Sequence, residues 1–118
     1  MLRTVRLELA RSGEFPEGSA AHGYEFVAPL TPDGRIDEES FKANRAGCTV
    51  RRFWRGEADQ HGTLVHTRHR TWAFSYAPGE DDDEAFYHLE SHRLAVGEYV
   101  SVREHDGVTR TFRVARVR

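Results

Sequence analysis

The C-terminal segment, residues 96–118, constrains the fold more than any other part of the chain. Apolar and polar residues alternate on both sides of an Asp-Gly dipeptide, a pattern typical of two antiparallel strands joined by a turn. Val100 and Val102 share one face of the first strand, and Phe112 and Val114 share one face of the second. The segment therefore predicts a β-hairpin.

The spacing of these residues also predicts the loop. Directly paired residues of an antiparallel ladder point to the same face, so a two-residue turn would place the two apolar rows on opposite faces. An odd-length loop places them together. The favoured pairs are Val102 with Phe112, Val100 with Val114, and Glu104 with Arg110. We therefore predict a loop of three or five residues with Gly107 at positive φ, and a bulge near Ala115-Arg116 that returns Val117 to the core.

Most of the remaining chain also has the pattern of strands. The predicted strands are centred on Val5/Leu7/Leu9, on Tyr24–Pro29, on Cys48–Arg55, on Thr63–Arg68, and on Thr71–Ala77 with its aromatic row Trp72/Phe74/Tyr76. Residues 11–23 are rich in small residues and predict a loop, and residues 32–34 predict a turn. Residues 80–93 fit either a helix or an acidic loop followed by a strand from Ala85 to about Val96, and we favour the strand.

One short α-helix is expected at about residues 37–46. Asp37 can cap its N-terminus, Ile36 and Phe41 have the spacing of a hydrophobic staple, and Gly47 follows the last turn. A helix of this length suits a lid or plug. The chain as a whole, residues 1–118, predicts a single all-β domain: a small antiparallel β-barrel or sandwich of about seven or eight strands.

Composition favours a cytoplasmic protein. Cys48 is the only cysteine, so no intrachain disulfide can form, and we expect this thiol to be a small buried residue. Charged residues interrupt the N-terminal segment, so we expect no signal peptide there. No apolar run reaches the length of a membrane span, so we expect no transmembrane segment.

Seven histidines make a metal site worth testing. His88, Glu90 and His92 alternate and would share one face of a strand, with neighbours roughly 6.6 Å apart. Two neighbours could share a metal such as zinc, with a third ligand from His66 or His69. A polar outer row is the alternative interpretation, and no other cofactor is predicted.

No catalytic motif surrounds the nucleophilic side chains. Cys48, Ser91 and Ser101 lack the flanking residues of known nucleophile motifs, and no glycine-rich phosphate loop is present. The small residues at 18–23 would allow a ligand or a backbone segment to approach closely, and His22 is the reactive group there. A flexible surface loop is the other interpretation of this stretch.

Nucleic-acid binding is a further hypothesis. The sequence interleaves cations and aromatics at residues 50–55 and adds a basic turn at 68–70, an arrangement that small barrels use to bind single strands. The net charge of −2 argues against it. The cations that would carry this function are Arg51, Arg52, Arg55, Arg68 and Arg70.

Residues 14–30 and 97–107 resemble a family of small uncharacterised proteins from alphaproteobacteria. The resemblance extends over most of the chain, and the excess of arginine over lysine fits a GC-rich bacterial genome. The resemblance implies a bacterial, cytoplasmic protein, and it assigns no role to any residue.

The function that we favour from sequence is a non-catalytic binding or interaction module whose partner is a protein or a small ligand. Single-stranded nucleic-acid binding is the first alternative, and a metal-binding protein or metal-dependent hydrolase is the second. The N-terminal strand, residues 2–10, could form a sheet edge that pairs with a second copy in a homodimer.

Overall fold

The chain forms a closed antiparallel barrel. The computed structural model describes residues 2–67, 71–76, 84–87 and 93–118. Within them eight strands follow one another around the barrel, and the last strand pairs with the first. The strands are β1 (Leu2–Leu9), β2 (Ser19–Pro29), β3 (Thr49–Trp54), β4 (Gln60–His66), β5 (Trp72–Ser75), β6 (Glu84–Tyr87), β7 (Tyr99–Arg103) and β8 (Thr109–Val117). The predicted all-β class is confirmed, and the architecture is a barrel.

The helix α1 (Glu38–Ala43) begins where the sequence predicted and ends earlier. The Asp37 side chain accepts hydrogen bonds from two backbone N–H groups of the first turn. The backbone of Asn44 is not helical, with φ −132°, and a short 3-10 helix follows at Arg45–Gly47. Phe41 is buried and packs edge-on against Trp72, as expected of a plug. Among the described residues, no helix has the length and apolar character needed to span a bilayer.

The C-terminal hairpin has the odd-length loop that its parity predicts. The backbone N–H of Glu104 donates to the carbonyl of Val108, which leaves a three-residue loop, and Gly107 within it has φ 83°. The predicted register was wrong by two residues, because this loop is shorter than the five-residue loop that those pairs require. In the observed ladder Val100 lies opposite Phe112, and Val102 lies opposite Arg110.

The predicted bulge in β8 is confirmed. Arg6 of β1 lies opposite Arg116, whereas Leu7 lies opposite Val114, so Ala115 has no partner across the ladder. The extra residue restores the inward phase of the strand, and Val117 packs against the core.

Two predictions about the N-terminal half were wrong. Residues 19–23 belong to β2 rather than to a loop, and the ladder with β1 skips residues 20–22. Alternation had failed to reveal this strand start because the small residues there carry no apolar signal. In addition, β1 is not a sheet edge, since it pairs with β2 on one side and β8 on the other. The homodimer expected from an unpaired first strand therefore has no basis in β1.

Aromatic side chains fill the middle of the barrel. Tyr24, Phe26, Phe74 and Phe112 are fully buried and contact one another at ring-centre distances of 4.8 to 5.2 Å. The predicted aromatic row on β5 is thus part of the core. A strand does occur after the acidic run, at β6, but the described residues 93–98 are not strand, and residues 88–92 lie outside the described ranges.

Candidate functional site

Two glutamate side chains lie inside the barrel at one end. Glu104 continues the inward row of Val100 and Val102, and Glu84 lies opposite Phe74 in the ladder between β5 and β6. Both carboxylates have no exposed surface. A buried carboxylate without partners costs several kcal/mol, so their hydrogen bonds determine whether this end of the barrel is stable.

Glu104 holds two arginine side chains. One of its oxygens accepts hydrogen bonds from Nε and Nη2 of Arg52, at 3.1 and 3.0 Å, and the other accepts from Nη1 of Arg110 at 2.7 Å. The Tyr24 hydroxyl donates a further bond at 2.6 Å. Burial alone would lower the pKa of Arg52, but Glu104 and Tyr24 offset this effect and raise it. The guanidinium is therefore permanently charged.

Glu84 is held mainly by tyrosine and histidine donors. The Tyr76 hydroxyl donates at 2.6 Å, and the backbone N–H and Nδ1 of His105 lie at 3.0 and 2.8 Å. Oη of Tyr24 is also 3.0 Å from this carboxylate, although its single proton can serve only Glu84 or Glu104 at a time. Burial, together with Glu84, raises the pKa of both tyrosines, so they remain protonated donors and cannot act as bases.

We call these seven side chains the buried polar cluster. They come from four strands, from the residue that follows β5 and from the loop after β7, and all lie at the end of the barrel where β3 ends. The members are Tyr24, Arg52, Tyr76, Glu84, Glu104, His105 and Arg110.

Three aromatic rings pack together beside this cluster, at the end of the barrel that we call the barrel mouth. His22 packs edge-on against Trp54 at 4.4 Å and tilts against Phe15 at 4.6 Å. The guanidinium carbons of Arg52 and Arg110 lie 4.3 and 5.4 Å from the centre of the Trp54 ring. Cation–π contacts of this kind fix both the indole and the guanidinium groups in place.

The environment of His22 makes folding stability depend on pH. Burial, aided by Arg55 and Arg52, lowers the pKa of His22 from its ordinary value of 6.5. The unfolded chain therefore binds this proton at a higher pH than the folded chain, so the folded state loses stability as the pH falls below about 6.5. Replacing His22 by asparagine removes this contribution.

We therefore expect the stability advantage of the wild type over His22→Asn to be smaller at about pH 5 than at about pH 8. Urea unfolding of both proteins at the two pH values measures it. All other titrating groups are shared by the two proteins and cancel in the comparison. An advantage that stays constant across this range would contradict the lowered pKa.

The structure separates the arginines predicted to bind nucleic acid. Arg52 points inward and is buried, whereas Arg51 points outward and forms ion pairs with Glu25 at 2.6 Å and Asp59 at 3.0 Å. Arg55 is exposed in the turn after β3. Arg68 and Arg70 lie outside the described residues. No continuous cationic row is formed by the three that are described.

The predicted metal ligands His88, Glu90 and His92 lie outside the described residues, as does His69. His66 is described, and its ring stacks on Trp72 at 4.2 Å. Within the described parts of the chain, no group of three or more potential ligands has the geometry to hold a metal ion.

The candidate nucleophiles are engaged in structural contacts. Cys48 is completely buried, as predicted, and burial raises the pKa of its thiol. Oγ of Ser101 lies 3.1 Å from Oγ1 of Thr111 across the hairpin. Ser91 lies outside the described residues. Oγ of Ser19 lies 2.6 Å from Nδ1 of His22, a pair that was not predicted from the sequence. Among the described residues, however, no carboxylate orients this imidazole as a catalytic triad requires.

A groove of about 900 Å³ runs along the outer wall of the barrel. Its floor is formed by the outward side chains of β7 and β8, including Tyr99, Thr111 and Arg113. Its far side is formed by Arg11, which follows β1, and by Ala20 near the start of β2. We call it the outer groove. Beside it, residues 20–22 leave the ladder with β1, while Ser19 at the start of β2 still lies opposite Leu9.

Arginine side chains in the outer groove and on the adjoining row of β7 have no ion-pair partner among the described residues. Arg11 and Arg113 line it, and Arg103 lies on the same exposed row of β7 as Tyr99; none of the three arginines forms an ion pair with a described residue. Of the two acids that line the groove, Glu8 is held by Arg6 at 2.7 Å, and Glu17 forms no ion pair with a described residue. We call Arg11, Arg103 and Arg113 the basic face.

Comparison with known proteins gives no family for the chain. No protein-family model matches it, and neither a curated protein nor a solved structure matches it.

Proposed function

We propose that the protein is a non-catalytic binding module that docks an acidic segment of a partner protein in the outer groove. The guanidinium groups of the basic face, which form no ion pair with a described residue, carry this proposal together with the wide groove. The buried polar cluster supports it indirectly, because its charged groups bind one another rather than face solvent. A reducing bacterial cytoplasm is the setting that we propose, from the single buried cysteine and the composition.

A protein segment suits the outer groove better than a nucleic acid does. Single-strand binding relies on several exposed aromatic rings on which bases stack. Tyr99 is the exposed aromatic of this groove, while Trp72 lies in the core and Trp54 lies at the barrel mouth. The groove instead offers hydroxyl groups and guanidinium groups, which recognise carboxylates by charge-assisted hydrogen bonds.

Titration with a peptide of alternating glutamate and serine, followed by NMR amide shifts, tests this function. We expect shifts centred on Ala20, Thr111 and Arg113 that weaken as salt increases. The triple variant R11A/R103A/R113A is expected to bind at least about tenfold more weakly, since three exposed ion pairs at roughly 0.5 kcal/mol each sum to about 1.4 kcal/mol.

The variant R3A/R45A/R118A is the matched control, because it removes the same charge from positions outside the outer groove. If both triple variants bind the peptide equally weakly, net charge alone determines binding, and this result would contradict the proposed site. The peptide of alternating glutamine and serine should not bind. Binding of a single-stranded oligonucleotide at the same residues, without binding of the acidic peptide, would favour the nucleic-acid alternative instead.

A further inference from the structure

Two guanidinium groups are held rigidly at the barrel mouth. The side chain of Arg52 is 5% exposed and that of Arg110 is 12% exposed, and both bind the same buried carboxylate of Glu104. The Trp54 ring packs against each of them. Because these contacts fix the two side chains before any ligand arrives, little conformational entropy is left to lose when the groups bind an anion.

The outward N–H groups of both arginines are occupied by surface carboxylates, including Asp106, which accepts from Nη1 of Arg110 at 3.1 Å. Nη1 of Arg52 donates to Glu57 at 3.2 Å, and Nε of Arg110 donates to Glu14 at 3.2 Å. The glutamate side chains are 55% and 59% exposed, in contrast to the fully buried Glu104. The carboxylate of each exposed glutamate can move into solvent and be hydrated there, so an external anion displaces it at a lower cost than it would displace the buried Glu104.

We propose that Arg52 and Arg110 form an oxyanion-binding site at the barrel mouth, for a small-molecule carboxylate or phosphate, which Glu14 and Glu57 occupy when no ligand is bound. A guanidinium presents its N–H groups in a planar fork that matches either oxyanion. The site does not depend on the outer groove or on the proposed function, because no residue of the basic face takes part in it.

The local charge permits entry of an anion once the two surface glutamates turn away. The cations that remain are Arg52, Arg55 and Arg110, and the carboxylates that remain are Glu84, Glu104 and Asp106. These charges balance, whereas the occupied mouth carries two further negative charges. Glu14 and Glu57 therefore act as internal competitors, and their removal should reveal the affinity of the site.

The variant E14Q/E57Q tests this site, since it keeps the shape of both side chains and removes their charge. The protein is labelled with fluorotryptophan, the ¹⁹F signal of Trp54 is assigned with W54F, and sodium phosphate, acetate and chloride are titrated at constant ionic strength. We expect E14Q/E57Q to bind phosphate or acetate at least about tenfold more tightly than the wild type, a gain of about 1.4 kcal/mol. Chloride should leave the Trp54 signal unchanged. The oxyanion that responds identifies the ligand class.

The variant E17Q/E98Q is the control, because it removes two surface carboxylates that do not contact Arg52 or Arg110. If E14Q/E57Q binds no more tightly than E17Q/E98Q, the site does not exist. Adding R110K to E14Q/E57Q keeps the charge but removes the fork, and should weaken binding at least about fivefold. Undiminished binding in this folded variant would equally overturn the proposal. Peptide binding in the outer groove is measured separately, so the two proposals fail independently.

Discussion

Replacing Glu104 by glutamine is expected to lower the free energy of unfolding by about 3–5 kcal/mol. The substitution preserves the size of the side chain but removes the charge that compensates both Arg52 and Arg110. Removing one partner of a buried ion pair leaves the others as uncompensated charges in a poorly solvated interior. Because small domains are stable by only about 5–15 kcal/mol, this loss takes the barrel close to its unfolding threshold.

Chemical denaturation followed by tryptophan fluorescence measures this effect. Asp106→Asn is the matched control, since Asp106 also contacts Arg110, at 3.1 Å, but is 47% exposed. Its removal should cost less than about 1 kcal/mol. A Glu104→Gln protein as stable as Asp106→Asn would mean that the buried polar cluster is not the structural centre of this end of the barrel.

Replacing Gly23 by alanine is expected to destabilise the protein by about 3 kcal/mol or more, beyond the usual cost of overpacking. A Cβ at this position would overlap the carbonyl oxygen of Leu7 and lie 3.0 Å from Cζ of Phe53. The Phe53 ring can move, but the Leu7 carbonyl belongs to the neighbouring strand and cannot. The φ angle of Gly23 is not positive, so the expected cost is steric rather than conformational.

Gly13→Ala provides the comparison for Gly23→Ala in thermal and urea unfolding. Nothing lies within 4 Å of a Cβ at Gly13, and its φ is also not positive. This substitution should be neutral or slightly stabilising, because alanine restricts the unfolded chain. Similar stabilities for the two variants would contradict the close approach of β1 and β2.

Much of the barrel could be predicted from the periodicity of single strands. The alternation of Val5, Leu7 and Leu9 and the aromatic row of β5 identify inward faces because burial repeats every two residues. The same parity predicts the odd-length loop that contains Gly107 and the bulge at Ala115. It cannot fix the register, however, because a shift by two residues leaves every side chain on the same face.

The buried polar cluster was missed because charged residues are normally expected at the surface. The alternation of the two strands nevertheless indicated that both side chains point inward. Glu104 follows Val100 and Val102 on the inward face, and Arg110 precedes Phe112 on the inward face of its own strand. The ion pair of Glu104 with Arg110 was predicted, but as a pair within one hairpin. Arg52 and Tyr24 come from distant strands, so only the closed barrel reveals that they share the same carboxylate.

The pairing of β1 with β8 has a consequence for how the protein is made. The first strand leaves the ribosome early, but its second partner is synthesised only roughly a hundred residues later, so the last ladder closes through contacts of very high sequence separation. Until then β1 presents unpaired backbone groups along one edge. The nascent chain can therefore pair β1 with a strand of a second copy, whereas the finished barrel prevents such pairing. Aggregation during synthesis should depend on how quickly β8 pairs with β1.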